Sequence, residues 1–238
     1  MKDIKNHWDK LQEVALIPKY YNPESNRILR LGLWNIFQST YLRLNGVSYD
    51  SREQHTKNNI GVLLSYFTNS EKFLDSPALR NDFNNPSLEK GMLIMGGYGN
   101  GKTSCLVALN DIMSRHLYGN RFKMVNSQDL VKEYECLNGA EDKKEFWQKY
   151  MTPILCIDDA KKERRASNYG VSEIVGDLLV MRYNKRLKTH LTCNYVEGDE
   201  EQSIRKGLEE FSRYGEHFYD RLFEMFNIVE FKGKSKRK

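Results

Sequence analysis

Apolar and polar positions divide the chain into two textures. Through about residue 75 the apolar residues recur at helical spacing. "WDKLQEVALI" carries such a stripe and stops at Pro18. "NRILRLGLWNIFQSTYLRL" (26–44) is long and apolar on one side, and "SREQHTKNNIGVLLSYF" (51–67) predicts a third helix. The stretch "LDSPALRNDFNNPSLEKG" (74–91), with its prolines and asparagines, reads as a linker. Beyond it, short apolar runs alternate with helical stripes. "GMLIM", "RFKMVNS", "PILCID", "KTHLTCN" and "NIVEFKG" predict strands. Between them "TSCLVALNDIMSRHLY", "SQDLVKEYECL" with Ser127 as its cap, "VSEIVGDLLVMRYNKRL" and "SIRKGLEEFSRYGEHFYDRLFEM" predict helices. Strands alternating with helices predict a three-layer α/β domain on a parallel sheet. The expected organisation is a helical region over 1–75, a linker over 76–90 and the α/β domain over 91–238.

The first predicted strand runs into "GGYGNGKTS" (96–104). Gly96, Gly101, Lys102 and Thr103 match G-x-x-x-x-G-K-[ST] without a mismatch, with a strand before and a helix after. In such a loop Gly96, Gly97, Tyr98, Gly99, Asn100 and Gly101 turn successive N–H groups toward phosphate oxygens, and the following helix adds its positive end. Lys102 would reach the β and γ phosphates, the Thr103 hydroxyl would ligate Mg2+, and Ser104 completes the loop's entry into the helix. A strand ending in Asp158 and Asp159 supplies the acids this chemistry needs. Asp158 would hold the metal through water, and Asp159 would polarise an attacking water. The alternative for the pair is a strand-end turn. Asn194, ending "LTCN", could position that water or simply sit in a turn. Arg221, in "YDRLFEM", could reach a neighbour's nucleotide or pair with Asp220 or Glu224 on the surface.

Composition narrows the class. The chain has 238 residues, 39% hydrophobic and 12% aromatic, sufficient for a packed core. No apolar run approaches the roughly 18 residues of a membrane helix, so no membrane partner is expected. The opening "MKDIKNHWDK" is polar and charged, unlike a secretory signal. Four cysteines lack C-x-x-C spacing and three lie in apolar segments, which predicts reduced, buried thiols in a cytoplasmic protein. The net charge of +5 is localised: of 37 Lys and Arg, five lie in "KGKSKRK" (232–238), leaving 32 basic against 32 acidic residues. That tail is either a solvated end or a contact for DNA phosphates.

Phosphate loop, strand ending in "DD", asparagine-ended strand and late arginine occur in the order of an AAA+ ATPase. From about residue 88 to 238 the chain resembles the DnaC/IstB-like group, which comprises bacterial helicase loaders and the ATP-binding partners of certain transposases. "LCIDDAKKER" is similar to that group's I-D-D-L-G-x-E, with Glu163 as the trailing glutamate, and "VMRYNKRLKTHLTCN" to its R-Y…T-S-N strand. "YDRLFEM…VEFKGKSKR" resembles its D-R-L helix and closing G-x-S-x-R. The resemblance implies a P-loop NTPase of AAA+ type binding ATP and Mg2+, with Asp159, Asn194 and Arg221 catalytic, Arg221 as an arginine finger and Arg237 sensing nucleotide. It implies an ATP-dependent homo-oligomer acting on single-stranded DNA, with a replicative helicase gripped by the N-terminal region, or alternatively a transposase as partner. Tyr98 and Asn100 stand where Pro and Thr are usual, Lys161 where Gly is frequent, and Cys193 for a common Ser. The first 75 residues match nothing in the group. A small-molecule kinase would need an arginine-rich lid, and "KKERRASN" (161–168) follows the metal acids instead.

Overall fold

In the computed structural model the described residues are 21–22, 27–28, 30–116, 121–168, 170–195 and 200–236. The first expected helix, over 8–17, and Arg237 lie outside them. The chain forms two compact units, one of Met1–Ala78 with Gly101–Arg121 and the other of Leu79–Asn100 with Phe122–Lys238.

Among its described residues the first unit is mostly helical, with a short antiparallel ladder between Tyr21–Asn22 and Arg27–Ile28. Helices α1 (Arg30–Asn45), α2 (Gln54–Phe67) and α3 (Lys102–His116) bury Leu33, Ile36, Phe37, Leu63 and Leu106. Trp34, Phe37, Tyr41 and Tyr49 form an aromatic cluster, with Phe37 and Tyr49 edge to face at 5.3 Å. Arg43 of α1 and Arg115 of α3 share the carboxylate of Asp111. That ion pair groups α3 with the N-terminal helices, although α3 follows the first strand of the sheet in sequence.

The second unit is a five-stranded, all-parallel sheet flanked by helices. Its strands are β1 (Gly91–Gly96), β2 (Lys123–Asn126), β3 (Ile154–Asp158), β4 (Lys188–Asn194) and β5 (Phe226–Phe231), in the order β2-β3-β4-β1-β5. Every residue of β1 and β5 is buried, including Asn227 and Glu230 within β5. The unit's helices are α4 (Ser127–Glu135), α5 (Ala140–Lys149), α6 (Ile174–Asn184), α7 (Glu200–Glu209) and α8 (Glu216–Met225). Leu130, Phe146, Leu178, Leu208 and Leu222 from these helices join Leu93, Leu155 and Leu191 from the sheet in one core.

Several local expectations change. The cap of α4 is Asn126, whose side chain accepts from Gln128 N at 2.9 Å, whereas Ser127 is buried. The long helix expected before β5 is broken into α7, a 3-10 turn (Glu210–Tyr214) and α8, because Gly215 takes φ 108°. Helix α6 starts later than its apolar pattern, since Val171–Ser172 pairs with Ala166–Ser167 in a small antiparallel ladder. Helix α5 carries few apolar positions, but Glu141 and Asp142 in its first turn and Lys149 in its last suit the helix dipole. Cys105, Cys156 and Cys193 are buried and Cys136 is exposed, and none forms a disulfide.

Residues 79–90, read as a linker, are stitched to the sheet. Leu79 bridges Val229 antiparallel, and Arg80 N donates to Ile228 O at 2.9 Å, covering the outer edge of β5. Buried Asn227 accepts from Ser87 N and donates to the carbonyls of Ser87 and Gly91, each within 2.8 Å.

His190 in β4 is buried, and its Nδ1 accepts from Met92 N at 3.1 Å. Burial, with Lys188 and Arg182 nearby, pushes its pKa down from 6.5 to about 3. The ring stays neutral in the fold but can protonate once the chain unfolds, so stability rises with pH between those two values. Moving from pH 7 to pH 5 is expected to lower the unfolding free energy by about 2 kcal/mol through this group. Urea titrations of the wild type and His190→Asn, which keeps an acceptor but no titrating proton, check this; parallel pH profiles would refute it.

Candidate functional site

The carboxyl ends of β1, β3 and β4 lie side by side, Gly96 in register with Asn194 and Ile157 with Leu191. The crevice beyond strand ends is where open α/β sheets hold ligands. Each chain segment leaving these strands is fixed by a separate set of bonds.

The phosphate-loop segment begins at Gly96. A Cβ there would lie 2.4 Å from the Phe231 carbonyl oxygen and 2.5 Å from Asn100 Nδ2, so no other residue fits. Gly99 and Gly101 take φ of 70° and 96°, the left-handed conformations that turn successive amides inward. Buried Asn100 donates to Phe231 O at 2.7 Å, and Lys236 N donates to Gly99 O at 2.8 Å. The loop is thus tied to β5 and to the tail that follows it, which explains why Asn suits a position where the resembling group has Thr. Lys102, the first residue of α3, is buried. Thr103 and Ser104 follow it in the first turn, and Gly97 and Tyr98 complete the loop.

The acids are positioned by β4. Thr192 Oγ1 donates to Asp158 Oδ1 at 2.6 Å and accepts from Asp159 N at 2.9 Å. Asp158 is 8% exposed, while Asp159 turns out of the strand with φ 55°. Its carbonyl accepts from Ser127 Oγ at 2.8 Å, and its Oδ1 accepts from Asn194 Nδ2 at 3.1 Å. The pair of aspartates and Asn194, read separately in the sequence, are therefore brought together. Thr192 was not singled out and Ser127 only as a helix cap; the signal for Thr192 was a hydroxyl inside an otherwise apolar strand.

Glu163 is buried rather than presented to the crevice. It accepts the Tyr214 hydroxyl, whose pKa burial and this carboxylate hold well above 10, and lies 3.7 Å from Arg213. Lys161, in the position where the resembling group often has Gly, takes φ 75°. Its Nζ donates to Gly207 O and Glu210, both at 2.7 Å, which offsets the strain of a left-handed lysine.

Arg221 sits on α8 with its guanidinium 4.9 Å from the Tyr183 ring centroid. Glu224 accepts from Tyr183 Oη at 2.6 Å. Tyr183 and Glu224 line a pocket with Gly91, Lys188 and Thr189 at the amino ends of β1 and β4, the opposite ends of the sheet from the acids and Asn194.

No family model matches the sequence, and no curated protein does. Among solved structures, a crystal structure of the DnaC helicase loader superposes with a TM-score of 0.54 at 22% identity, covering 81% of this chain and 98% of that one. The chain has the AAA+ fold. A putative primosome component from Streptococcus pyogenes serotype M3 and DnaI show TM-scores of 0.49 and 0.48, each at 18% identity over 79% of this chain and 86% and 87% of theirs. Within the sheet unit, the left-handed Gly99 suits an anion such as a phosphate, and the Asp158 carboxylate oriented by Thr192 suits a hard divalent cation. Among the described residues no helix is long and apolar enough to cross a membrane.

Proposed function

We propose that this chain binds and hydrolyses ATP to drive assembly of a replicative helicase on single-stranded DNA. The observation that carries the hydrolytic part is the bond from Asn194 Nδ2 to Asp159 Oδ1, which couples a strand-end acid to a sensor-type amide. In this reading the amides of Gly97 to Gly101 and Lys102 hold the phosphates, and Thr103 with Asp158 holds Mg2+. Magnesium, when bound, neutralises charge developing on the phosphates. Asp159 orients and polarises the attacking water, and Asn194 fixes the carboxylate that does so. Arg237 senses nucleotide; the Lys236 N to Gly99 O bond supports this by bringing the preceding residue to the loop. The helicase-loading part is supported by the likeness to the DnaC loader.

Arg221 acts on a neighbouring copy. Arg221→Ala is expected to keep ATP affinity within about twofold and lower turnover about 10³-fold, the loss typical of an arginine finger. Turnover by wild type should rise with protein concentration as copies associate. A mutant hydrolysing normally would remove the finger assignment. The partner is tested by purifying the tagged chain from its host with ATP and magnesium. Recovery of a hexameric helicase supports the reading, and recovery of a transposase would replace it with assembly of a transposition complex.

A further inference from the structure

The turn after β3 places a lysine that neither the motif nor the proposed mechanism uses. Asp159 and Lys161 both take positive φ, 55° and 75°, with Ala160 between them. Ala160 N donates to Thr192 O at 2.9 Å, pinning the turn to β4, and Lys161 Nζ anchors it to Gly207 and Glu210 on the other side. A turn fixed on both sides carries the next side chain back over its own start. Lys162 Nζ lies 3.2 Å from Asp159 Oδ1 and 4.8 Å from the centroid of the Tyr98 ring in the phosphate loop.

We infer that Lys162 is a positioning residue for Asp159, and that Tyr98 ties it to the phosphate loop. The inference rests on the ATPase reading above and adds to it a link between loop and acid. Asn194 and Lys162 both donate to Oδ1 of Asp159; among the described residues no protein group donates to Oδ2. Two donors on one oxygen set the plane of the carboxylate and leave the other oxygen as the acceptor for water. Each contact alone is weak, because Lys162 and Asp159 are about one-third exposed, at 33% and 34%. An ammonium held by both the carboxylate and the Tyr98 ring has its position defined from two sides. Displacement of Tyr98 with the loop therefore shifts Lys162, and through it the acid. Tyr98 is one of the residues at which the loop departs from the group it resembles, so this link belongs to this chain.

The test is a double-mutant cycle in ATP turnover, with ATP affinity measured separately. Lys162→Met is expected to lower kcat about tenfold with Kd for ATP within about twofold, the split of a group acting on the chemical step. Lys162→Arg, which restores the cation and its contact with the ring, should recover most of the loss. Tyr98→Leu should lower kcat about threefold, and the double mutant should be no slower than Lys162→Met, since the ring acts through the lysine. Wild-type turnover by Lys162→Met beside an inactive Asp159→Asn would overturn the proposal alone. Multiplicative losses in the double mutant would overturn the link to Tyr98. If Asp159→Asn itself turned over ATP at the wild-type rate, the ATPase reading and this proposal would both fall.

Discussion

Asp159→Asn is expected to lower ATP turnover at least 100-fold while leaving ATP affinity within a few-fold, the range for losing a positioned proton acceptor. The substitution is chosen for its backbone. Residue 159 takes φ 55°, and asparagine is the side chain other than glycine that tolerates this region best. Alanine there would add backbone strain and blur loss of chemistry with loss of shape. Asparagine also retains an oxygen for the Asn194 donor. The bonds from Asp159 N to Thr192 and from Ser127 to the Asp159 carbonyl involve main chain and should persist. Turnover within a few-fold of wild type would move the role of water activation to another group. Thermal melting of the mutant within about 1 kcal/mol of wild type would confirm that only chemistry had changed.

Arg182→Leu is expected to destabilise the sheet unit by about 3–5 kcal/mol, the cost of stranding the partners of a buried charge. The guanidinium is fully buried. It donates to Thr189 Oγ1 at 2.8 Å, to the carbonyls of Tyr150 and Thr152 at 2.7 and 2.9 Å, and to Lys188 O at 2.7 Å. These acceptors flank the first residues of β3 and β4, so the side chain sets where two central strands begin. Burial lowers its pKa to about 10, and it remains a cation at neutral pH. Leucine would leave three carbonyls without this donor. Lysine would restore charge but not the fork, and is expected to recover less than half of the loss. Urea unfolding followed by circular dichroism measures the change; a loss under about 1 kcal/mol would show that the carbonyls find other partners.

Strand identities were legible because each β-strand is a short apolar run bounded by polar residues, and a strand buried on both faces needs little else. The glycine-rich turn after β1 was legible because close approach at Gly96 and positive φ at Gly99 and Gly101 restrict residue choice. Asp159 and Asn194 were each readable as strand ends, but their pairing depends on β3 and β4 being neighbours, which spacing along the chain does not reveal. The role of residues 79–90 was hidden for the same reason. Pro and Asn mark irregular backbone, and irregular backbone that covers a sheet edge has the same composition as a free linker. Asn227, at the centre of those bonds, is a polar residue within a buried strand, and its acceptors are backbone atoms that no side-chain pattern announces. Glu163 followed the motif but serves Tyr214, a residue 51 positions away.

The loop's attachment to β5 bears on how the protein is made. Asn100 finds its carbonyl partner 131 residues further along the chain, and β1 lies between β4 and β5 in the sheet. During synthesis the glycine loop emerges long before the strand that anchors it. At elongation rates of roughly 5–20 residues per second, that interval lasts on the order of ten seconds. Over that time the loop lacks its Phe231 and Lys236 contacts, and β1 has an unpaired flank. A nascent chain therefore cannot assume the anchored loop until its sheet closes.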